Sequence, residues 1–400
     1  MLKEGKKEKI IGLVILLVVI VGAIGFKLYL DSKSDKNLNV IYGAVGGGKE
    51  DFLADPDFNK ILKDKYKIKF VGDSWGNGST IKLPLVRESV HLGNTNIPTS
   101  QLSVNNKQCS QYDLLFTSDE RYLTYYRTEP VGEEAERNRV LKGSLTLNTP
   151  IVFYSWDVVT NALIKEGIVE ERDGVYYMTN PKKMLNYMLQ GKKWKDIGLN
   201  FSGNITILSV DPTLSSPGAT YYGLLLNILT DQEPEDQAKV ERALPTLKKI
   251  YDNNGYSVVS PADLFDGFMK LGVNSYPIIV DYEKSIMEFI NKDKKFGTNN
   301  YEQVKDRLRI IYSDPTITNS HCIATFNDNG NAFLDAFEDK DIKDIAWARY
   351  GFRVGIASGV NIDKIKELGV TGIPRDLPSG ARSLKMETYN RMVEYLEKGV

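Results

Sequence analysis

The chain has 400 residues, with 51 basic and 52 acidic side chains and a formal net charge of −1 at pH 7. This balance argues against a general nucleic-acid binder, because polyanion binding needs a positive excess. Cys109 and Cys322 are the two cysteines, so no disulfide framework holds the fold together, and the sequence leaves open whether they form one bridge. With only two histidines and two cysteines, the chain offers no ligand spacing typical of a structural zinc site.

The first predicted element is an apolar segment near the N-terminus. Residues 10–26 carry no charged side chain, and a helix over this run would reach about 25 Å, near the minimum for a bilayer core. Lysines precede it at positions 3, 6, 7 and 9, which favours a cytoplasmic N-terminus at 1–9. We therefore expect a transmembrane anchor or signal segment at 10–29, a polar linker at 30–38 and an extracytoplasmic body. Cleavage of the segment as a signal peptide is the alternative.

Downstream of the linker, short apolar strands alternate with amphipathic helices, which is typical of an α/β fold. A helix is predicted over about 50–66, and residues 89–110, rich in Asn, Ser and Thr, predict a long polar loop or hairpin. A second helix is predicted from Ser216, with Pro217 in the first helical position. The predicted strands cover residues 39–45, 67–72, 112–116, 149–154 and 204–210.

A glycine-rich loop follows the first predicted strand. Residues 43–49 fit the pattern G-x-x-x-x-G-K between a strand and a helix, which is the context of a phosphate-binding loop. The next residue is Glu50, where that motif requires a hydroxyl for magnesium, and a carboxylate there would repel phosphates. We therefore interpret the loop as a glycine turn whose N–H groups hold an anion or a polar ligand atom. A tight turn with a solvated Lys49 is the alternative.

Several segments, in order along the chain, resemble the type 2 periplasmic binding fold of extracellular solute-binding proteins, the receptors of ABC importers. The resemblance covers most of residues 38–353. The first loop differs, because it is glycine-rich where many relatives carry serines. The segments that carry the resemblance are Tyr112–Asp119, Thr149–Gly167, Asp211–Thr220, Tyr276–Phe289, Leu308–Phe326 and Phe333–Arg353.

This resemblance implies an α/β protein of two lobes, which a hinge closes around a small ligand. Lobe one would take residues 39–147 and 300–400, and lobe two residues 148–299. The ligand would bind between the lobes, where glycine turns and helix N-termini converge, and an oxyanion suits such donors. The partners would be the ligand, a transporter permease and the membrane, with no cofactor, metal or catalytic residue.

The candidate ligand contacts come from both predicted lobes. Several have a structural alternative: Ser216 suits a helix cap, Ser118 and Asp119 suit another, and the two tyrosines suit a core. His321 is interpreted as a packed or hydrogen-bonded hinge residue. The candidates are Gly47, Gly48, Lys49, Thr117, Ser118, Asp119, Tyr154, Ser215, Ser216, Gly218, Thr220 and Tyr276.

Other function classes have weaker support in the sequence. An anchored hydrolase would need a catalytic set, yet the chain has no H-E-x-x-H and only two histidines. An envelope sensor or structural protein with the same two-lobed fold is the main alternative, and a retained anchor favours it. Tight magnesium-dependent ATP binding would revive the phosphate-loop interpretation.

Overall fold

A computed structural model describes residues 38–74, 89–92, 95–98, 111–128, 139–255, 260–354 and 360–399. The predicted anchor at 10–29 and Cys109 lie outside these residues. The anchor therefore stays a prediction, and a bridge between Cys109 and Cys322 stays an open question. Within the described ranges, no helix has the length and apolar character to cross a membrane. Cys322 is a buried free cysteine.

The strands are β1 (Asn39–Val45), β2 (Ile68–Ser74), β3 (Ser89–Leu92), β4 (Thr95–Pro98), β5 (Leu114–Phe116), β6 (Lys142–Trp156), β7 (Val169–Arg172), β8 (Val175–Met178), β9 (Ile278–Tyr282), β10 (Leu308–Ser313), β11 (Thr318–Thr325) and β12 (Arg353–Val354). β3 and β4 pair as an antiparallel hairpin, inside the segment predicted as a loop or hairpin.

The helices are α1 (Glu50–Leu53), α2 (Pro56–Tyr66), α3 (Arg121–Thr128), α4 (Asp157–Lys165), α5 (Pro181–Leu189), α6 (Ser216–Leu229), α7 (Gln237–Asn254), α8 (Pro261–Leu271), α9 (Ser285–Phe296), α10 (Asn300–Val304), α11 (Asp328–Ala336), α12 (Lys340–Tyr350), α13 (Asp363–Lys366) and α14 (Met386–Lys398). A short 3₁₀ helix covers Trp194–Ile197.

Lobe one is a sheet in the order β2-β1-β5-β11-β6, with β12 added beside β6. β1, β2 and β5 run parallel, whereas β11 runs antiparallel to both β5 and β6. Alternate side chains enter separate cores on the two faces of this sheet, so Leu114 and Phe116 pack on one side and Leu115 on the other. Burial on both faces explains why β5 is a continuous apolar run.

Lobe two has its own sheet and core. β6 continues into it and pairs there with β9 and β10, both antiparallel, and β8 joins β10 in parallel. Helices α6, α7 and α8 contribute to one apolar cluster around these strands. Each lobe therefore has an independent core, and the long strand β6 is continuous between them.

The connection between the lobes lies at the middle of β6. Pro150 is still paired with β11 of lobe one, and Ile151 is already paired with β9 of lobe two. The chain returns between β10 in lobe two and β11 in lobe one. Two strand crossings side by side are the geometry of a hinge.

The predicted lobe boundaries differ from the structure in two places. β10 pairs with lobe two, so the return crossing falls after Ser313 and not near residue 300. The C-terminal part also belongs with lobe two, because Leu384, Met392 and Leu396 enter its core. Amphipathic spacing in α14 predicts a buried face but does not tell which lobe covers it.

Two predicted elements change in detail, and a third is confirmed. Residues 204–210 form no strand beyond isolated bridges, one of them between Leu208 and Ile279. The helix predicted over 50–66 is interrupted, because Asp55 caps a new helix that starts at Pro56. The helix predicted from Ser216 is confirmed, with Ser215 as its N-cap.

Candidate functional site

A cleft of about 920 Å³ lies between the two lobes. Lobe one contributes the loops after β1 and β5, and lobe two contributes the starts of α6, α8 and α9. This volume falls in the range of sites for small organic ligands, about 300–1,000 Å³. The glycine turn after β1 and the N-terminal ends of helices therefore meet at one place, as the resemblance implied.

Half of the candidate contacts line this cleft. They come from the loops that the sequence singled out in each lobe: Gly47, Gly48, Ser118, Asp119, Ser215 and Ser216. The Asp119 carboxylate is already engaged, because it accepts hydrogen bonds from the Arg121 guanidinium. Asp119 therefore presents a paired carboxylate to the cleft, whereas the glycine loop and the serines of lobe two present backbone and hydroxyl groups.

Two candidates of lobe one lie behind the cleft surface. The Lys49 ammonium is 2% exposed and donates to the Gly46 carbonyl oxygen, with its Nζ 4.9 Å from the centre of the Phe116 ring. The lysine is thus neither solvated nor directed at the cleft. Thr117 is fully buried, and its hydroxyl accepts from the Asp119 N–H, which holds the second loop in shape.

The other four candidates have packing roles in lobe two. Tyr154 is buried in the core, and its hydroxyl donates to the backbone of Tyr282 and Glu283. Gly218 allows close packing, since a Cβ there would lie 2.3 Å from the Val210 carbonyl oxygen. The Thr220 hydroxyl donates to its own helix at the Ser216 oxygen.

Tyr276, the last of these four, is half-buried against the core of lobe two. Its carbonyl oxygen accepts a hydrogen bond from the Trp156 indole at 2.8 Å. Its ring packs by Gly267, where a Cβ would lie 3.1 Å from the tyrosine hydroxyl. The structure thus gives Tyr276 the core position that the sequence offered as its alternative.

The glycine loop satisfies part of its own hydrogen bonding. The Gly48 N–H donates to the Glu50 carboxylate at 2.8 Å, and the Gly46 N–H donates to the Phe116 carbonyl oxygen. Glu50 therefore occupies a donor that a phosphate would need, and Lys49 is directed away from the cleft. Gly48 has a φ of +83°, a conformation in which a side chain is strained.

The floor of the cleft contains side chains that the list of candidates omitted. His321 of β11 is 1% exposed, and neither ring nitrogen has a hydrogen-bond partner in the part of the chain that the structure describes. Its ring packs edge-on against Phe352, at 5.2 Å between ring centres. Of the two alternatives offered for His321, the structure therefore shows the packed one and not the hydrogen-bonded one. A lone histidine in an apolar strand carries no signal that would separate the two roles.

Lys284 and Asp281 of lobe two also border the floor and are buried. The Lys284 ammonium forms an ion pair with Glu288 and lies 5.3 Å from the centre of the Phe352 ring. One Asp281 oxygen accepts from the Tyr282 N–H at 2.7 Å. A cluster of charged residues between a buried strand and a helix, as at 281–285, is the sequence signal that would have found them.

Burial shifts the protonation of these groups in a common direction, toward their neutral forms. It lowers the pKa of Lys49 to about 7, and Lys284 nearby acts in the same direction. Burial, with the charges of Lys49 and Lys284, lowers the pKa of His321 well below its usual value. It also raises the pKa of Asp281 to about 7, against the Tyr282 N–H and Lys284. The floor therefore contains a neutral imidazole between two lysines.

Two long helices of lobe two start at the cleft without a side-chain cap. α6 begins after Ser215, and α9 begins after Lys284; neither N-cap side chain bonds the first turn. The N-terminal N–H groups of such helices carry partial positive charge. By contrast, α8 is capped by the Ser260 hydroxyl.

One further contact joins the lobes across the cleft. The Arg121 guanidinium, at the start of α3 in lobe one, lies 3.5 Å from the ring centre of Tyr389 in α14. Tyr389 packs against the lobe two core and lines the cleft. Because its partners belong to different lobes, this cation–π contact depends on the angle between them.

The geometry defines a two-lobed protein with an interlobe cleft, and comparison with solved structures agrees. A protein described as an extracellular solute-binding protein, from Bordetella parapertussis, shares 11% identity over 90% of this chain and 98% of its own, with a TM-score of 0.51. The Trichodesmium protein FutA, in complex with iron and citrate, shares 10% identity over 90% of this chain and 99% of its own, with a TM-score of 0.49.

The fold is thus the type 2 periplasmic binding fold of extracellular solute-binding proteins, and this prediction from sequence is confirmed. No protein-family model matches the chain, and no curated protein matches it either. At 11% identity the likeness extends to the fold, and the ligand has to be argued from the cleft itself.

Proposed function

We propose that this protein is an extracytoplasmic solute-binding protein that captures a small ligand between its lobes and delivers it to an ABC-type importer. The observation that carries the proposal is the cleft of about 920 Å³ at the junction of two lobes joined by paired strand crossings. A ligand that contacts both lobes stabilises the closed arrangement by its differential affinity for it. No bond has to be made or broken.

The uncapped starts of α6 and α9 support an anionic group on the ligand, since such N–H groups favour negative charge. Lysines before the apolar run at 10–26 support an anchored chain with its body outside. Delivery to a transporter permease follows from this placement. Membrane fractionation followed by protease treatment of intact cells tests the placement, and a body protected from protease would contradict it.

The test of binding is a thermal-shift panel on the purified full-length protein, with oxyanions, carboxylates, sugars, amino acids and short peptides. A ligand at 100 times its dissociation constant stabilises by about 2.7 kcal/mol, which shifts the melting temperature by several degrees. A panel without any shift counts against the proposal. Binding with unimpaired uptake after gene deletion would instead favour an envelope sensor.

Gly48 offers a matched test of the location of the ligand. Gly48→Leu would fill the floor, because a Cβ there points at Lys284 and His321. Gly198 has the same φ of +83° with nothing within 4 Å of an added Cβ, so Gly198→Leu has the same backbone strain without entering the cleft. We expect the first variant alone to abolish binding; equal affinities would place the ligand elsewhere.

A further inference from the structure

The floor of the cleft contains a buried polar side chain without a partner. His321 is 1% exposed, and both of its ring nitrogens lack hydrogen-bond partners among the described residues. A neutral imidazole has one N–H donor and one acceptor nitrogen. Leaving such a group unsatisfied costs about 1–3 kcal/mol. A ligand that reaches the ring from the cleft and supplies the missing bond would offset a cost of this size.

Other donors converge on the same point. A Cβ placed on Gly48 would lie 3.8 Å from Lys284 Nζ and 3.9 Å from His321 Cε1, so these groups surround the space above the glycine. Lys284 is also the N-cap of α9, whose first turn has no side-chain cap. An ammonium carries three donor hydrogens, of which the bond to Glu288 uses one. A group that accepts several hydrogen bonds fits this space.

The local charge balance favours one negative charge over two. Lys284 is offset by Glu288, and Lys49 behind the loop is near Glu50. Asp281 adds a carboxyl whose pKa is raised to about 7 by burial. A dianion would meet these acidic groups with too little positive charge opposite, whereas a monoanion fits the ammonium, the imidazole and the helix start.

The lobe two wall of the cleft is partly apolar. Leu214 and Phe296 are 59% and 66% exposed, and both line the cleft. Phe265 and Phe289 lie beneath this wall, with ring centres 5.7 Å apart. Exposed large apolar side chains on a concave surface mark binding sites for apolar groups. The cleft is also far larger than an inorganic ion needs, which indicates a ligand with an organic body.

We infer that the cleft binds an organic monocarboxylate, with the carboxylate held at the floor by His321 and Lys284 and the apolar body against Leu214 and Phe296. The inference rests on the proposed function, since it names the ligand class of that same cleft. His321 donates its N–H to one carboxylate oxygen, and Lys284 donates to the other.

The test uses the full-length protein with hexanoate and phenylacetate, their neutral amides, and sulfate and phosphate, by thermal shift and then calorimetry. We expect one or both carboxylates to bind, each more tightly than its amide and than either inorganic anion. Lys284→Met and His321→Phe should each weaken that binding about tenfold to hundredfold, because each removes a hydrogen bond to the charged carboxylate. Lys284→Arg should retain most of the affinity.

Lys248 provides the matched control. It forms the same i,i+4 ion pair, with Asp252, and its Nζ lies 5.4 Å from the ring centre of Tyr251, but it does not line the cleft. Lys248→Met should therefore leave affinity unchanged. Circular dichroism and unliganded melting confirm that each variant is folded, and the comparison of each carboxylate with its amide keeps the test decisive where a variant fails to fold.

The outcomes separate this inference from the proposed function. Binding of a sugar, a peptide or an inorganic anion, with no binding of either carboxylate, overturns the inference and leaves the proposed function in place. A carboxylate that binds equally well after Lys284→Met also overturns it. An absence of binding across every class in both panels overturns the proposed function and the inference together.

Discussion

Two buried polar clusters lie side by side at the hinge, and they differ in how completely they are satisfied. In the first, Glu283 accepts two hydrogen bonds from the Arg353 guanidinium, both at 2.7 Å, and one from the Tyr312 hydroxyl. The same guanidinium donates to the carbonyl oxygens of Pro374 and Arg375. We call Glu283, Arg353 and Tyr312 the hinge cluster; it joins β12 of lobe one to lobe two.

The second cluster includes Lys284, which directly follows Glu283 in the chain. We call Lys49, Lys284 and His321 the floor cluster; its imidazole has no partner in the described part of the chain, and its lysines lie near one another. A buried charged pair with every bond made holds a structure in one arrangement. A buried group with bonds missing lowers stability until something binds it. This difference in hydrogen bonding indicates a structural role for the hinge cluster and a binding role for the floor cluster.

The largest expected effect comes from breaking the hinge cluster. Arg353→Met leaves Glu283 buried without its partner, so the free energy of unfolding should fall by about 3–5 kcal/mol, measured by chemical denaturation. Arg382→Met is the control, because that arginine forms an exposed pair with Glu235 and should change stability far less. Equal losses from the two variants would mean that the hinge cluster has no special structural role.

The second effect is a pH dependence of stability from Lys49. Its pKa is about 7 in the folded protein and 10.5 ordinarily, so the unfolded chain binds more protons between these values and stability rises with pH across that window. The slope should reach about 1 kcal/mol per pH unit. Glu50, Lys284, Cys322 and His321 are the titratable groups that face Lys49.

Lys49→Met isolates this contribution. The variant should be more stable than the native chain at pH 7, and the difference should shrink as the pH approaches 10, in denaturation curves at each pH. A difference that stays constant with pH would show that Lys49 is protonated throughout, and the contrast between the clusters would then lose its electrostatic basis.

A smaller change in the free energy of unfolding is expected at His321, and it is an increase where the hinge variant gives a decrease. His321→Phe removes two unsatisfied nitrogens and keeps a ring against Phe352. The free energy of unfolding without ligand should therefore rise by about 1 kcal/mol. A marked decrease in the free energy of unfolding, measured by denaturation, would show that the imidazole has a structural role. The floor cluster would then resemble the hinge cluster.

The smallest effect concerns the contact between Arg121 and Tyr389, which joins the lobes away from the hinge. Tyr389→Leu should favour the open arrangement by about 1 kcal/mol, visible as a larger radius of gyration in small-angle scattering. Tyr395→Leu is the control, since its ring is contacted by Arg391 of the same helix. An unchanged radius would leave the hinge cluster as the contact that sets the lobe angle.

Local patterns were enough to predict much of the fold. The strand at 39–45, the helix after Ser215 and the loops at Gly47–Gly48 and Ser118–Asp119 depend on apolar periodicity, prolines and turn residues, which act over a few positions. The two lobes and the cleft between them were implied by the resemblance of several segments to the type 2 periplasmic binding fold. Strands, helix starts and turns depend on residues that are close together in the sequence, so a single sequence is sufficient to predict them.

The tertiary structure alone decided which polar residues are buried without partners. Lys49 and Tyr154 look like ligand contacts in sequence but are buried, Lys49 against the Phe116 ring and Tyr154 against the Phe265 ring of α8. His321, Lys284 and Gly48 are far apart in the chain and meet only where β6 and the connection between β10 and β11 join the lobes. Burial and the satisfaction of hydrogen bonds depend on contacts distant in sequence, so the floor of the cleft is a property of the folded chain.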